Sequence, residues 1–318
     1  MSNPLLRFLG KRLAHTAVVL FGVLVVVFAL LQLVPGDPVR VALGTRFTQE
    51  SYEALREASG LDRPLFVQFF SYLGNALMGD LGVSFRTGQP VTLILLDRLP
   101  ATVSLALAGF AIALLIAFPL GTWAALRRGT AADGGIRAAS QFGVSIPDFW
   151  FGLLLIIVFS TWLGLLPPSG YVPITEDPSG WLQRVLLPSL AVGVVSGSIL
   201  TRYVRSAVLD VVGSNYVRTA RSKGLPRHTV VGRHVMRNAL VPILTIAGVQ
   251  AATMLGGLIV IEVVFAWPGL GRLVYDSVTA RDYPVVQGAV LLIALMFLLI
   301  NLLVDILYAV VDPRIRVS

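Results

Sequence analysis

The sequence predicts an all-α polytopic membrane protein, and three observations carry that prediction. Hydrophobic residues make up 56% of the 318 and charged residues only 13%, whereas soluble domains carry about 25% charged residues. Six apolar stretches, roughly 13–34, 100–126, 138–163, 185–209, 239–263 and 286–311, have the ~20 residues a helix needs to cross a bilayer. Basic residues gather on alternate connections, the pattern of short cytoplasmic loops. The formal charge of +8 therefore sits beside apolar runs, where the membrane accounts for it without nucleic acid. With no cysteine there is no disulfide, thiolate or iron–sulfur chemistry, and three scattered histidines form no metal constellation.

Arg7, Lys11 and Arg12 precede the first apolar run. That run is longer than the ~7–15-residue core of a signal peptide, so an uncleaved helix with a cytoplasmic N-terminus is expected. Residues 35–99 then form an extracytoplasmic insert with seven acids, six arginines and no lysine. Within it, Gln49–Ala58 reads as a helix with Thr48 as N-cap and Gly60 as its stop. Phe66–Leu77 reads as a second, amphipathic helix. The insert is either a packed lid or a lid that also touches a partner or substrate.

Arg127, Arg128 and Arg137 mark the inner side between the second and third spans. Asp148 follows Ser145-Ile146-Pro147, a third to half of the way along the third span. A carboxylate in lipid costs about 2.5–3.5 kcal/mol near the centre, so Asp148 is expected to face the bundle. It either makes a packing hydrogen bond beside Pro147 or lines the translocation path. The fourth span carries Pro188 with Gly193 and Gly197, a spacing compatible with close helix packing. Glu262, near the outer end of the fifth span, reads as an outer gate or helix cap ahead of a substrate ligand. Asn301 and Asp305 lie four apart on one face of the sixth span and read as a structural polar seam. Arg314 and Arg316 place the C-terminus inside as well.

The most distinctive stretch lies between the fourth and fifth spans. Asn215–Asn238, within a cytoplasmic loop over 210–238, holds six basic residues and no acid. Tyr216 to Lys223 is long enough for two helical turns, and Gly224-Leu225-Pro226 ends them. A second helical piece is expected from His228 toward Met236. Ala220 leaves room for a partner's approach, Gly224 permits a turn that a Cβ would obstruct, and Arg218, Arg221 and Lys223 meet acceptors. The same charges also suit a loop that merely marks the inner face against anionic lipid.

The run Asn215, Tyr216, Val217, Arg218, Thr219, Ala220, Arg221, Ser222, Lys223, Gly224, Leu225 resembles the conserved cytoplasmic loop of ABC-transporter permease subunits. Asn215 stands where the peptide branch has Asp, and Ser222 where it has Ala. Further matching motifs run in order along the chain: Val34-Pro35-Gly36-Asp37-Pro38, Gly60-Leu61-Asp62-Arg63-Pro64, Gly79-Asp80-Leu81-Gly82-Val83-Ser84, Pro268-Gly269-Leu270-Gly271, Arg281-Asp282-Tyr283-Pro284 and Asp312-Pro313-Arg314. Together they resemble the dipeptide/oligopeptide/nickel permease family, DppB/OppB-like.

The resemblance implies one transmembrane domain over 1–318 in a bacterial inner membrane, importing dipeptides or short oligopeptides. By the same resemblance it would pair with a second related permease, two cytoplasmic ATP-binding subunits and an extracytoplasmic substrate-binding protein. Tyr216, Arg218, Thr219, Ala220, Arg221, Lys223 and Gly224 would couple this chain to the ATPases. ATP and Mg would be bound by those partners and no cofactor by this chain, which has no Walker A sequence and only two lysines, Lys11 and Lys223. Nickel complexes and glutathione-like peptides are alternative cargoes. An ion-coupled secondary transporter would explain the spans and buried acids but not the basic loop. An intramembrane enzyme built on Asp148 lacks a second convergent group.

Overall fold

In a computed structural model, residues 4–44 and 47–311 are described; the expectations for Arg314, Arg316 and the Asp312-Pro313-Arg314 motif fall outside them. Thirteen α-helices occur among the described residues, with no β-sheet and a single antiparallel bridge between Val83 and Pro90. Among the described residues five continuous helices are long and apolar enough to cross a membrane: Ala14–Leu33, Val91–Leu126, Pro178–Val212, Arg227–Val264 and Tyr283–Leu307. The first belongs to α1 (Pro4–Leu33).

The third expected span is not continuous. It divides into α6 (Ala131–Ser145) and α7 (Asp148–Leu155), the latter prolonged by a π-helical stretch over Ile156–Trp162, and the two halves meet at 98°. Pro147 is the physical cause. It donates no N–H and forces the preceding residue out of the helical region, and Ile146 is extended at φ −90°, ψ 127°. Asp148 accordingly opens a new helix and does not lie midway along an old one.

The chain forms two compact units, Met1–Val103 with Ala266–Leu298, and Ser104–Phe265 with Leu299–Ser318. In the first, the insert folds as α2 (Pro38–Leu43), α3 (Gln49–Ala58) and α4 (Leu65–Leu77). Thr48 caps α3 as expected, through a reciprocal bond with Ser51, and Gly60 turns the chain at φ +65°. Asp37 caps α2 and accepts the Tyr52 hydroxyl. Partial burial works to raise its pKa, but the Tyr52 hydroxyl and the Arg40 and Val39 amides outweigh that and hold the carboxyl below its usual range. Phe69 of α4 meets Phe21 and Phe28 of α1 edge to face.

The beginning of α5 (Val91–Leu126), the beginning of α13 (Tyr283–Val311) and α12 (Leu270–Thr279) share a core of Val91, Leu95, Leu270, Val285 and Ala289. The sequence reading assigned no element to α12, although Leu270, Leu273, Val274 and Ser277 recur at helical spacing. Two non-glycine residues flanking α12, Ala266 and Arg281, adopt φ of 50° and 54°, at a cost of about 1–2 kcal/mol each. Strong anchors hold those turns. Trp267 Nε1 donates to Ala101 O at 2.8 Å and Leu270 N to Thr102 Oγ1 at 2.7 Å. Asp282 is buried and accepts from the Ser84 hydroxyl and the Phe85 amide, while Arg281 Nη1 donates to Pro35 O at 2.6 Å. The Arg281-Asp282 pair thus fastens the insert to the start of α13.

The second unit is organised around α8 (Pro178–Val212), against which α6, α7 and α11 (Arg237–Val264) pack. Its glycines are seats for neighbouring backbone. A Cβ on Gly193 would lie 2.7 Å from Ile112 side-chain carbons and 2.8 Å from Gly109 O, and one on Gly197 would lie 3.1 Å from Ala113 O. Gly121 repays the contact farther along, facing Val204 and Thr201 O. The expected close packing at Gly193 and Gly197 is therefore with α5.

Candidate functional site

The basic segment begins after Gly213 and folds as α9 (Asn215–Ser222). Eight residues are too few for a stable isolated helix, so packing must hold it. Val217 and Ala220, three apart, are both buried. They belong to one apolar cluster with Leu200, Val204 and Val208 of α8 and with Val230 and Val235. Tyr216, Arg218, Thr219, Arg221 and Ser222 are exposed, as are Lys223, Gly224 and Leu225. Arg221 and Lys223 lie at the helix C-terminus, where positive charge is favoured.

The role expected for Ala220 changes with this placement. Its small side chain does not open space for an outside partner; it lets α9 lie close on its own chain. Gly224 also acts otherwise than by steric clearance. Nothing lies within 4 Å of a Cβ placed there, but its φ is +72°, a region that side-chain-bearing residues disfavour. Leu225 N then donates to Ala220 O. The second helical piece is the start of a longer rod, since α10 (Arg227–Thr229) passes through a π-helical stretch, Val230–Met236, straight into α11. α9 is thus seated against the ends of two membrane-length helices, α8 and the 227–264 rod.

An ion pair with a buried carboxylate stands in the same unit. Arg205 of α8 reaches Asp133 of α6 with Nε–Oδ1 of 2.7 Å and Nη2–Oδ2 of 2.9 Å. Asp133 is almost fully enclosed and also accepts the Gly129 amide. The sequence reading missed this pair; an arginine and an acid 72 positions apart give no local signal.

Asp148 is half-buried at the first turn of α7, where a carboxylate suits the helix dipole. Its Oδ1 accepts the Phe149 amide at 2.8 Å, and its Oδ2 faces Gly257 of α11. Glu262 is fully buried in the last turn of α11. Asn301 and Asp305 are partly buried on α13 and bracket Val304, whose side chain fills the space that Gly248 of α11 leaves. These polar groups lie apart from α9 in sequence and do not form a cluster with it. Among the described residues no group of three or more His, Cys, Asp or Glu side chains can hold a metal.

The chain matches two family profiles, "Binding-protein-dependent transport system inner membrane component" over residues 117–317 and the N-terminal part of such components over 5–106. A putative peptide transport system permease protein of Brucella abortus is 43% identical over 96% of this chain and 98% of its own length. The di/tripeptide transport system permease protein of Pseudomonas aeruginosa is 40% identical, and the dipeptide transport system permease protein of Escherichia coli 38%, each over 98% of this chain and 99% of its own. In fold the chain is similar to a MetNI methionine ABC transporter structure, with a TM-score of 0.59 at 17% identity, covering 69% of this chain and 97% of that one. The chain belongs to the family of binding-protein-dependent transport system inner membrane components, and it shares their all-helical permease fold.

Proposed function

We propose that this chain is one permease subunit of an importer for dipeptides or short oligopeptides, and that α9 is where ATP hydrolysis in partner subunits is converted into movement. The near full-length likeness to three peptide permeases carries the choice of cargo. The two-faced character of α9 carries the coupling: an apolar side seated in the chain and a basic side that is exposed. The working assembly pairs the chain with a second related permease, two ATP-binding subunits that hold ATP and Mg, and a substrate-binding protein on the opposite side.

Tyr216, Arg218, Thr219, Arg221 and Lys223 form the contact surface for the ATPase. Val217 and Ala220 fix α9 to α8 and to the start of the 227–264 rod, and Gly224 sets the turn between them. In this reading 1–318 is one transmembrane domain, 210–238 faces the cytoplasm with both termini, and 35–99 lies outside. Asp148 lines the path beside Gly257, where its half-exposed carboxylate can meet a peptide ammonium. Glu262 braces the end of α11 as part of an outer gate, and Asn301 with Asp305 forms a seam against α11.

The deciding experiment is ATP-dependent uptake of a labelled dipeptide by the complex reconstituted in vesicles with its partner subunits and binding protein. Accumulation of the dipeptide is expected; uptake of a nickel complex with no peptide uptake would overturn the cargo. In the same preparation Gly224→Val should leave assembly intact and lower substrate-stimulated ATP hydrolysis several-fold. Unchanged coupling would remove α9 from the proposal. For sidedness, Lys223→Cys should be shielded from an impermeant reagent in intact cells and Gln89→Cys, on the exposed tip of the insert, should be labelled.

A further inference from the structure

Beside α9 the structure leaves a cleft of about 580 Å³ between the end of α5, the end of α8 and the start of the 227–264 rod. Its enclosed lining is apolar, with the partly buried Leu126 and Leu209 and the buried Val230, while the lining side chains that stay exposed include Arg128, Arg221 and Arg227. No acidic residue lines it. All three arginines are exposed, and among the described residues none of them makes an ion pair. Bringing three guanidinium groups to one cleft costs mutual repulsion, which an anion seated between them would relieve.

We propose that this cleft binds an anionic phospholipid, the phosphate held by the three arginines and the upper part of an acyl chain lying on the apolar lining. Three features select a lipid over other anions. Leu126 is the last residue of a membrane-length helix and Arg128 follows two residues later, the order in which a chain leaves hydrocarbon for headgroups. Guanidinium forks match phosphate oxygens in a bidentate geometry that a lone lysine does not offer. An apolar lining beside exposed cations fits an amphiphile, whereas a free phosphate would leave the leucines facing water. Arg221 is shared with the surface proposed for coupling, so the bound lipid would sit against the flank of α9. Lipid retention is measured without ATP, so the test stands whether or not α9 is the coupling element.

The complete importer would be placed in nanodiscs of phosphatidylcholine alone or mixed with phosphatidylglycerol, and the retained phosphatidylglycerol counted by native mass spectrometry. The variant is Arg128→Gln with Arg227→Gln, neither of which belongs to the proposed ATPase contact. The intact protein should retain phosphatidylglycerol after extraction, and the double variant should retain it about thirtyfold less, as expected for two surface cations lost. Arg128→Lys with Arg227→Lys should restore part of that retention and show that the variant chain is folded. Equal retention by the intact protein and the glutamine variant would overturn the proposal. So would displacement by soluble glycerol phosphate at the concentration at which phosphatidylglycerol vesicles displace it, which would assign the cleft to a free phosphate. Loss of the ATPase subunits from the glutamine variant with lipid retention unchanged would also overturn it and give the cleft to an acidic protein surface.

Discussion

Helices α8 and α13 are both long enough to cross a membrane, yet the more apolar of the two is the less enclosed. The most apolar stretch of α13 has a mean hydropathy of 2.9 and none of it is buried within the chain; for α8 the figures are 1.6 and 67%. In water the order would be reversed. In a bilayer, lipid tails solvate leucine as well as another helix does, so apolarity does not drive a helix inward. Enclosure is won by small residues that let backbones approach. α8 supplies Gly193, Gly197, Ala191, Ser189 and Ser196 to its buried side, whereas α13 exposes Leu299, Leu303, Ile306 and Leu307. Within a membrane protein, then, a glycine- and serine-bearing span marks the interior and a leucine-rich one marks a face for lipid or a second subunit.

The sharpest way to break this comparison is to add bulk at the small-residue seam. Gly193→Val would drive side-chain carbons into Ile112 and Gly109 O, and should cost about 3 kcal/mol. Lower yield and a lower melting temperature of the detergent-purified chain would show it. Next in size is Asp133→Asn, which leaves Arg205 without its carboxylate on the same buried helix. A loss of about 2 kcal/mol is expected in the same assay. A result near zero would mean that α6 is held to α8 by packing alone.

Glycine outside the seam should behave differently. Gly224→Ala meets no neighbour and has only the left-handed backbone to overcome, so about 1 kcal/mol is expected. It should show as faster amide exchange in α9, with global melting little changed. If Ala at 224 proves as damaging as Val at 193, conformation matters as much as packing and the contrast weakens. The smallest effect belongs to α13: Leu303→Ala should change the isolated chain by at most about 0.5 kcal/mol. A large loss of the assembled complex from that same change would show that α13 is covered by the second permease and not by lipid.

The capped helix Gln49–Ala58, the glycine spacing at 193 and 197, and the turn at Gly224 all follow from local rules of capping, small-residue packing and left-handed backbone. The family resemblance rests on motifs whose order along the chain is itself sequence. The basic segment was likewise readable as a short helix ended by Gly-Leu-Pro. Other features needed the folded chain. Pro147 was visible, but a proline in a span is compatible with either a tolerated kink or a full break, and only the folded chain shows the 98° bend that places Asp148 at a helix start. Ala220 reads as room for a partner because its side chain is small; which side of an eight-residue helix faces inward is decided by residues outside it, Leu200, Val204 and Val230. The Asp133–Arg205 pair and the anchoring of Ser84 by Asp282 are of the same kind.

The sequence by itself determined that this protein is helical, where its membrane-length runs lie and where its basic segment falls, because hydropathy, charge placement and turn chemistry act over a few residues. Only the tertiary structure decided which faces are inward, which span is broken and which charges pair. Those outcomes rest on contacts between residues tens to hundreds of positions apart, and in a bilayer the apolar side chain that would betray an inward face in water is equally content outside.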